Sequence, residues 1–153
     1  MKLKVVLVQP QIPQNTGSIA RMTAATGTEL HLIEPLGFEL SDRYLKRAGL
    51  DYWPEVRLTV HPDWDSFLHT TVPDRMFFFS TKAKRSHFEL KVEPEDYFIF
   101  GSEDAGLSQF YHDKYAEKFF RIPMTNPKIR SLNLATAAGI VLYEGIRQLS
   151  IDD

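Results

Sequence analysis

"LKVVLVQPQIPQNTGSIARMTAATGTELHLIEP", Leu3 to Pro35, holds the pattern from which the fold can be read. Two short apolar runs, "LKVVLVQ" and "ELHLIEP", have the length and the Val, Leu and Ile content of strands. Between them "NTGSIARMTAATG" reads as a helix-like segment. Strand, helix, strand in so short a span is the unit that builds a parallel sheet, because parallel neighbours need a crossover.

The unit recurs along the chain. Further strand-like runs are "VRLTV", "RMFFFST", "YFIFG" and "KFFRIPM". Helix-like segments are "SDRYLKRAG", "PDWDSFLHTTV", "SQFYHDKYAE" and the long "SLNLATAAGIVLYEGIRQL". The strands are apolar on both faces, which predicts an α/β fold with a mostly parallel sheet and helices on both faces. With no internal repeat, low-complexity tract or linker, one domain is expected over residues 1–153.

Composition narrows the function classes. At 153 residues, 43% hydrophobic and 25% charged, the chain is of ordinary globular type. A formal net charge of −2 argues against a protein held to nucleic acid by bulk charge, while leaving room for a local basic patch. The absence of cysteine excludes thiol nucleophiles, disulfides and Cys-ligated zinc. The five histidines (His31, His61, His69, His87, His112) show no ligand spacing, so no metal is expected. Two lysines precede an apolar run at the N-terminus, but Val5 to Val8 is too short for a signal peptide, and no stretch could span a bilayer. The expected compartment is the cytoplasm.

In open α/β sheets ligands bind beyond the carboxyl ends of the strands. The loops there read "PQIPQNTG", "EPLGF", "STKAKR", "GSEDAG" and "PMTNPKIRSLN", and most set Gly or Pro beside polar residues, as a backbone-lined pocket does. Dinucleotide and P-loop fingerprints are missing. "GSEDAG" is not a G-x-S-x-G nucleophile elbow, and the adjacent carboxylates Glu103 and Asp104 do not read as a glycosidase pair. Asn15 or Thr16 is expected to cap the first helix. Arg21, flanked at helical spacing by Gly17 and Ala24, is either a solvated surface residue or a contact to an anion or ribose. It lies about 120° from Asn15 around the helix, so periodicity does not pair them. "IRSLNLATAA", Ile129 to Ala138, is expected to open the last helix with Ser131 as its cap. Ala135, Ala138, Gly139, Leu142 and Ile146 then form a stripe for close packing, leaving more polar groups at the helix mouth than capping requires.

Three ordered stretches make a resemblance specific: "PQNTGSIARMTAATGTELHLIEPLGF", "FGSEDAGLS" and "IPMTNPKIRSLNLATAAGIVLYEGIRQ", with "LKRAGLDYW" between the first two. Over nearly its whole length the chain resembles the SPOUT superfamily of knotted methyltransferases, closest to the TrmL (YibK-type) tRNA 2′-O-methyltransferases. The resemblance implies a C-terminal deep trefoil knot, a topology that general rules of chain path would reject. It implies S-adenosyl-L-methionine as cofactor, held by Phe79, Ser80, Thr81, Gly101, Glu103, Ile122, Pro123, Met124, Ser131, Leu132 and Asn133. It also implies a homodimer built on the last helix.

The implied reaction is 2′-O-methylation of the wobble nucleotide, position 34, of leucine tRNAs. Arg21 matches the arginine credited with activating the 2′-hydroxyl. A guanidinium stays protonated, so stabilising the forming alkoxide or fixing the adjacent phosphate is easier than accepting a proton. Asn15, Glu103, Ser131 and Asn133 are the expected accompanying catalytic residues. The grip on the tRNA anticodon loop is expected from Arg43, Lys46, Arg47, Lys82, Lys84, Arg85, Lys128 and Arg130, with Tyr143 stacking or hydrogen-bonding. Another tRNA or rRNA position, or a non-catalytic RNA-binding module, remains open at this point.

Overall fold

A computed structural model of the chain describes residues 2–43, 45, 47 and 50–150. All six expected strands are present: β1 (Lys4–Val8), β2 (Glu29–Ile33), β3 (Arg57–His61), β4 (Met76–Phe79), β5 (Tyr97–Phe100) and β6 (Phe119–Phe120). They form one sheet in the order β3-β2-β1-β5-β4-β6, and every pairing is parallel. From β1 the chain builds outward through β2 to β3, then jumps back to fill the other side. The strand order therefore switches direction between β1 and β5, which is where a parallel sheet opens a crevice at its carboxyl edge.

Both faces are covered. The α-helices α1 (Pro13–Thr26) and α4 (Leu134–Ser150) pack on one face, where Ile19, Ala20, Ala138, Val141 and Leu142 join Val5, Leu7, Phe98 and Phe100. On the other face α2 (Trp64–Thr71) and α3 (Gln109–Lys114) place Trp64, Phe67 and Tyr111 against Val6, Phe78 and Ile99. Phe67, Phe78 and Phe98 are fully buried, each contributing about 1.5–3 kcal/mol by leaving water. The edge strand β3 departs from the expected two-sided burial. Its Arg57 and Thr59 are exposed because it has only β2 as a neighbour.

Several boundaries differ from the sequence reading for local reasons. Helix α1 begins at Pro13 rather than after Asn15, since proline is suited to the first helical position, and Ile12 takes the cap position without a side-chain bond. Asn15 and Thr16 are therefore buried inside the first turn and cap nothing. Helix α4 begins at Leu134, not Ser131. Its cap is Asn133, whose Oδ1 accepts from the Thr136 N–H at 3.1 Å. Strand β6 ends at Phe120, short of the expected Met124. The expected helix over 41–49 falls partly outside the described residues.

The small-residue stripe of α4 packs within the chain. A Cβ on Gly139 would touch Met22 Sδ of α1 at 3.4 Å, and one on Gly145 would meet Leu3 and Phe98 at 3.0 Å. Thr136, Ile140, Tyr143 and Arg147 remain exposed on the same helix.

On the α2 side the sheet buries a polar pair. His31 Nδ1 and His61 Nε2 lie 2.9 Å apart, with rings stacked at 5.2 Å between Phe67 and Tyr97. With Glu29 ionised, His31 Nε2–H donates to it at 3.3 Å, and His31 Nδ1 is left to accept from His61. Burial lowers the pKa of both imidazoles, and for His31 the neighbouring His61 adds to the effect. A folded-state pKa depressed below that of the unfolded chain leaves stability intact above about pH 6.5 and removes it as pH falls. The unfolding free energy from urea titrations should fall between pH 7 and pH 5 with a slope of at most about 1.4 kcal/mol per pH unit for each histidine kept neutral. A flat profile over that window would contradict the neutral buried pair.

Candidate active site

The crevice at the carboxyl edge holds a cavity of about 640 Å³. Three loops wall it: Phe79–Lys82 after β4, Phe100–Leu107 at the end of β5, and a stretch containing Ile122, Met124 and Arg130–Asn133 that leads into α4. Ile12 and Asn15 reach it from α1, and Leu134 and Ala137 from α4. The volume falls in the range of small-molecule sites, and the lining mixes Phe, Leu and Ile with a few convergent polar groups.

The loop after β5 is shaped by backbone proximity. Ser102 and Gly106 exchange backbone hydrogen bonds of 3.3 and 2.9 Å, which folds the loop back on Gly101. A Cβ on Gly101 would stand 2.1 Å from the Gly106 carbonyl carbon, so no other residue fits there. Gly106 itself adopts a positive φ of 65°. That fold leaves Glu103 aimed across the crevice at α1. Its Oε1 accepts from Gln11 N–H at 2.8 Å, and its Oε2 accepts from Ile12 N–H at 3.0 Å and Asn15 Nδ2 at 3.2 Å.

The chain of bonds continues. Asn15 Oδ1 accepts from Asn133 Nδ2 at 3.0 Å, while Asn133 Oδ1 caps α4. Each amide has both ends committed, so the direction of every bond is set by the carboxylate at one end and the helix N–H at the other. A single network thereby joins the loops after β1 and β5 to the mouth of the last helix.

On the β4 side, the Phe79 ring stacks on Phe100 at 5.1 Å and forms an aromatic wall. Ser80 is held by its own turn: its N–H donates to Phe120 O at 3.0 Å and its Oγ accepts from Lys82 N–H at 3.1 Å.

Of the residues expected to hold the cofactor, Phe79, Ser80, Thr81, Gly101, Glu103, Ile122, Met124, Ser131, Leu132 and Asn133 line the cavity, and Pro123 lies between two of them without lining it. Lys82 and Arg130, expected on the RNA-binding surface, also line it. Sequence reasoning missed Ser102, Asp104 to Leu107 and His112, and also Ile12, Phe100, Leu134 and Ala137 at the ends of the flanking elements. The first five sit inside the quoted "GSEDAG" stretch and its flank, so the loop as a whole was the signal. His112 had none: it enters through α3, its ring stacked on Phe119 at 4.2 Å and its buried Nε2 without a partner.

Arg21 lies outside this cavity. It is exposed on α1, with its guanidinium 4.7 Å over the Tyr52 ring and one N–H donating to the Tyr52 hydroxyl at 3.3 Å. Arg43, Arg47, Lys84, Arg85 and Lys128 are exposed, whereas Lys46 lies outside the described residues. Tyr143 borders a separate hollow of about 170 Å³ with Leu3, Thr26, Thr28 and Ile146. Among the described residues, no group of three or more His, Asp or Glu is placed to hold a metal ion, and no helix is long and apolar enough to cross a membrane.

Comparison with known proteins matches this architecture. A sequence model of the SpoU rRNA Methylase family matches residues 2–143. The chain is 46% identical over 151 residues to the tRNA (cytidine(34)-2′-O)-methyltransferase of Burkholderia pseudomallei (strain 1106a), covering 97% of this chain and 96% of the relative. It is 45% identical over 148 residues to the protein of the same name from Escherichia coli (strain K12), covering 96% and 94%. A solved structure described as giving insight into the 2-OH methylation of C/U34 on tRNA superposes with a TM-score of 0.93 at 47% identity, covering 97% of each chain. The SpoU methyltransferase AviRb from Streptomyces viridochromogenes, solved with AdoMet, shares the fold with a TM-score of 0.85 at 23% identity over 95% of this chain and 57% of that one. With a parallel sheet that opens its crevice at the β1/β5 switch and a family match across nearly all of its length, this chain belongs to the SpoU rRNA Methylase family.

Proposed function

We propose that this chain is a cytoplasmic, S-adenosylmethionine-dependent tRNA methyltransferase that modifies the 2′-hydroxyl of nucleotide 34, a cytidine or modified uridine, in leucine tRNAs. The observation that carries the reading is the bonded chain Glu103–Asn15–Asn133 at the rim of a cavity built from the three quoted motifs. Near-full-length similarity to enzymes named for position 34 supports the substrate. The choice of leucine tRNAs rests on the family resemblance.

The cavity fits the cofactor. Its volume suits a nucleoside-sized ligand, Phe79, Leu107, Ile122 and Leu132 supply apolar wall, and the Gly101–Gly106 turn lets backbone approach where a side chain would intrude. Phe79 to Thr81, Gly101, Ile122, Met124 and Ser131 to Asn133 would hold it. When bound, it supplies a methyl group already activated on a sulfonium.

The chain's own task is then to place the ribose in line and lower the cost of losing the 2′-hydroxyl proton. Arg21 suits the second role as a fixed positive charge beside the forming alkoxide or its phosphate. Asn15 and Glu103 position the start of α1, on which Arg21 is carried, relative to the cavity.

The segment after β6 returns from the sheet edge to α4, and Gln148 of α4 bonds both Leu90 O and Val92 N–H at 2.8 Å. We assign this crossover to the trefoil knot. The exposed Ile140 and Tyr143, on the helix that packs beside α1, suit a homodimer face.

In vitro methylation of total tRNA from a deletion strain, with nucleoside mapping, tests the reading directly, and label at any position other than 34 would overturn it. In that assay Arg21→Ala should lose a factor on the order of 10² in turnover while S-adenosylmethionine affinity stays within a few-fold. Equal losses in both quantities would move Arg21 into the cofactor pocket.

Neutralising Lys128 and Arg130 together should weaken tRNA binding and flatten its salt dependence, because each phosphate contact adds to the slope. Binding isotherms at several salt concentrations measure this, and an unchanged slope returns both residues to the solvated surface.

Arg21 is exposed on α1 and does not line its own subunit's cavity, which favours service to the partner's site. Mixing inactive Arg21→Ala and Asn133→Ala proteins, with exchange verified by differently tagged subunits, should restore at most about a quarter of wild-type activity, since half of randomly paired dimers are mixed and each holds one intact site. No recovery would place Arg21 in the site of its own subunit.

A further inference from the structure

The contact that holds the Arg21 guanidinium is the face of an aromatic ring. Among the described residues Arg21 makes no ion pair; its partners are the ring and hydroxyl of Tyr52. This matters chemically. A carboxylate would orient the guanidinium by neutralising it, whereas a ring face orients it and leaves its charge available to an incoming anion. An unheld arginine would instead scatter over its rotamers and lose that order each time substrate arrives.

The ring is itself well anchored. Tyr52 lies in a 3-10 turn, Leu50–Glu55, that contains Pro54 and packs against α1. Its neighbour Trp53 packs against the hydrophobic core, and Val56 N–H donates to Trp53 O at 3.1 Å. Tyr52 is nevertheless 41% exposed, while the adjacent Trp53 packs against the core. The arrangement is a turn packed on α1 that presents one ring face to one cation.

We propose that Tyr52 is the positioning residue for Arg21, holding the guanidinium plane in a charge-available orientation for the 2′-hydroxyl or its phosphate. The inference rests on the reading of Arg21 given above. It holds whether Arg21 serves its own subunit or the partner's, because Tyr52 travels with it on the same chain.

The test is a double-mutant cycle on turnover with tRNA at saturating cofactor. Tyr52→Ala should lower turnover about 2- to 5-fold, the effect expected of an exposed cation–π contact, with cofactor affinity and melting temperature unchanged. Tyr52→Phe keeps the ring face and should stay within about 2-fold of wild type, since only the 3.3 Å hydroxyl contact is removed. In the Arg21→Ala background, Tyr52→Ala should cause no further loss, because there is no guanidinium left to place. Losses that multiply, or a Tyr52→Ala enzyme indistinguishable from wild type beside a crippled Arg21→Ala, overturn the positioning role alone. Wild-type turnover in Arg21→Ala overturns the reading of Arg21 and the positioning role with it.

Discussion

The carboxylate of Glu103 is the constraint on which the site depends. It sits inside a loop that only glycine at position 101 permits, and it closes the crevice by accepting two backbone N–H groups ahead of α1 and the amide of Asn15. Hydrogen bonds to an ionised acceptor are stronger than neutral ones, and three converge on this one group. Without it, the loop after β1 would present free donors to the crevice, and Asn15 would lose the partner that fixes its orientation. From Asn15 the same polarity passes to Asn133 and the start of α4. The mouth of the last helix is thus set by a residue on β5's loop, across the switch point of the sheet.

Packing gives that network a rigid frame. Helices α1 and α4 lie together on one face, close enough for Met22 to fill the notch at Gly139, while Gly145 lets α4 settle onto Leu3 and Phe98. On the opposite face α2 covers the His31–His61 pair, whose burial lowers both pKa values and so favours the neutral rings. Beneath the N-terminal edge of the sheet, fully buried Asp96 is matched by Arg75 at 2.7 Å and by Glu93 N–H at 2.8 Å, the partnering a buried carboxylate requires. The carboxyl edge, by contrast, spends its polar groups on loops and helix mouths, which is where a ligand can compete for them.

Local pattern and global arrangement divide clearly in this protein. The order of strands and helices, the parallel pairing and the covering on both faces were legible in the sequence, because strand length, two-sided apolarity and helical spacing are properties of short windows. The loops of the cavity were legible for the same reason, as Gly, Pro and polar residues following apolar runs. Residue-level roles within those loops came largely from the family resemblance, which anticipated ten of the lining positions and placed Pro123 among them as well.

Pairings across long separations belong to the tertiary structure alone. Glu103 meets Asn15 across 88 residues and Asn133 meets Asn15 across 118, which no periodicity encodes, since it depends on β5 settling beside β1. The same holds for His31 with His61 and for Arg21 with Tyr52, each a consequence of which elements become neighbours. Caps moved for a subtler reason. Asn15, Ser131 and Asn133 all suit a cap by type, and only the competition for each amide's two ends decides which one serves: Asn15 is drawn inward by Glu103, and Asn133 is left to start the helix. By itself the sequence determined what kinds of element form and which residue types stand at their ends. The folded chain decided which of those polar ends face one another, because a hydrogen bond acts only over a few ångströms and only the packed sheet brings its partners that close.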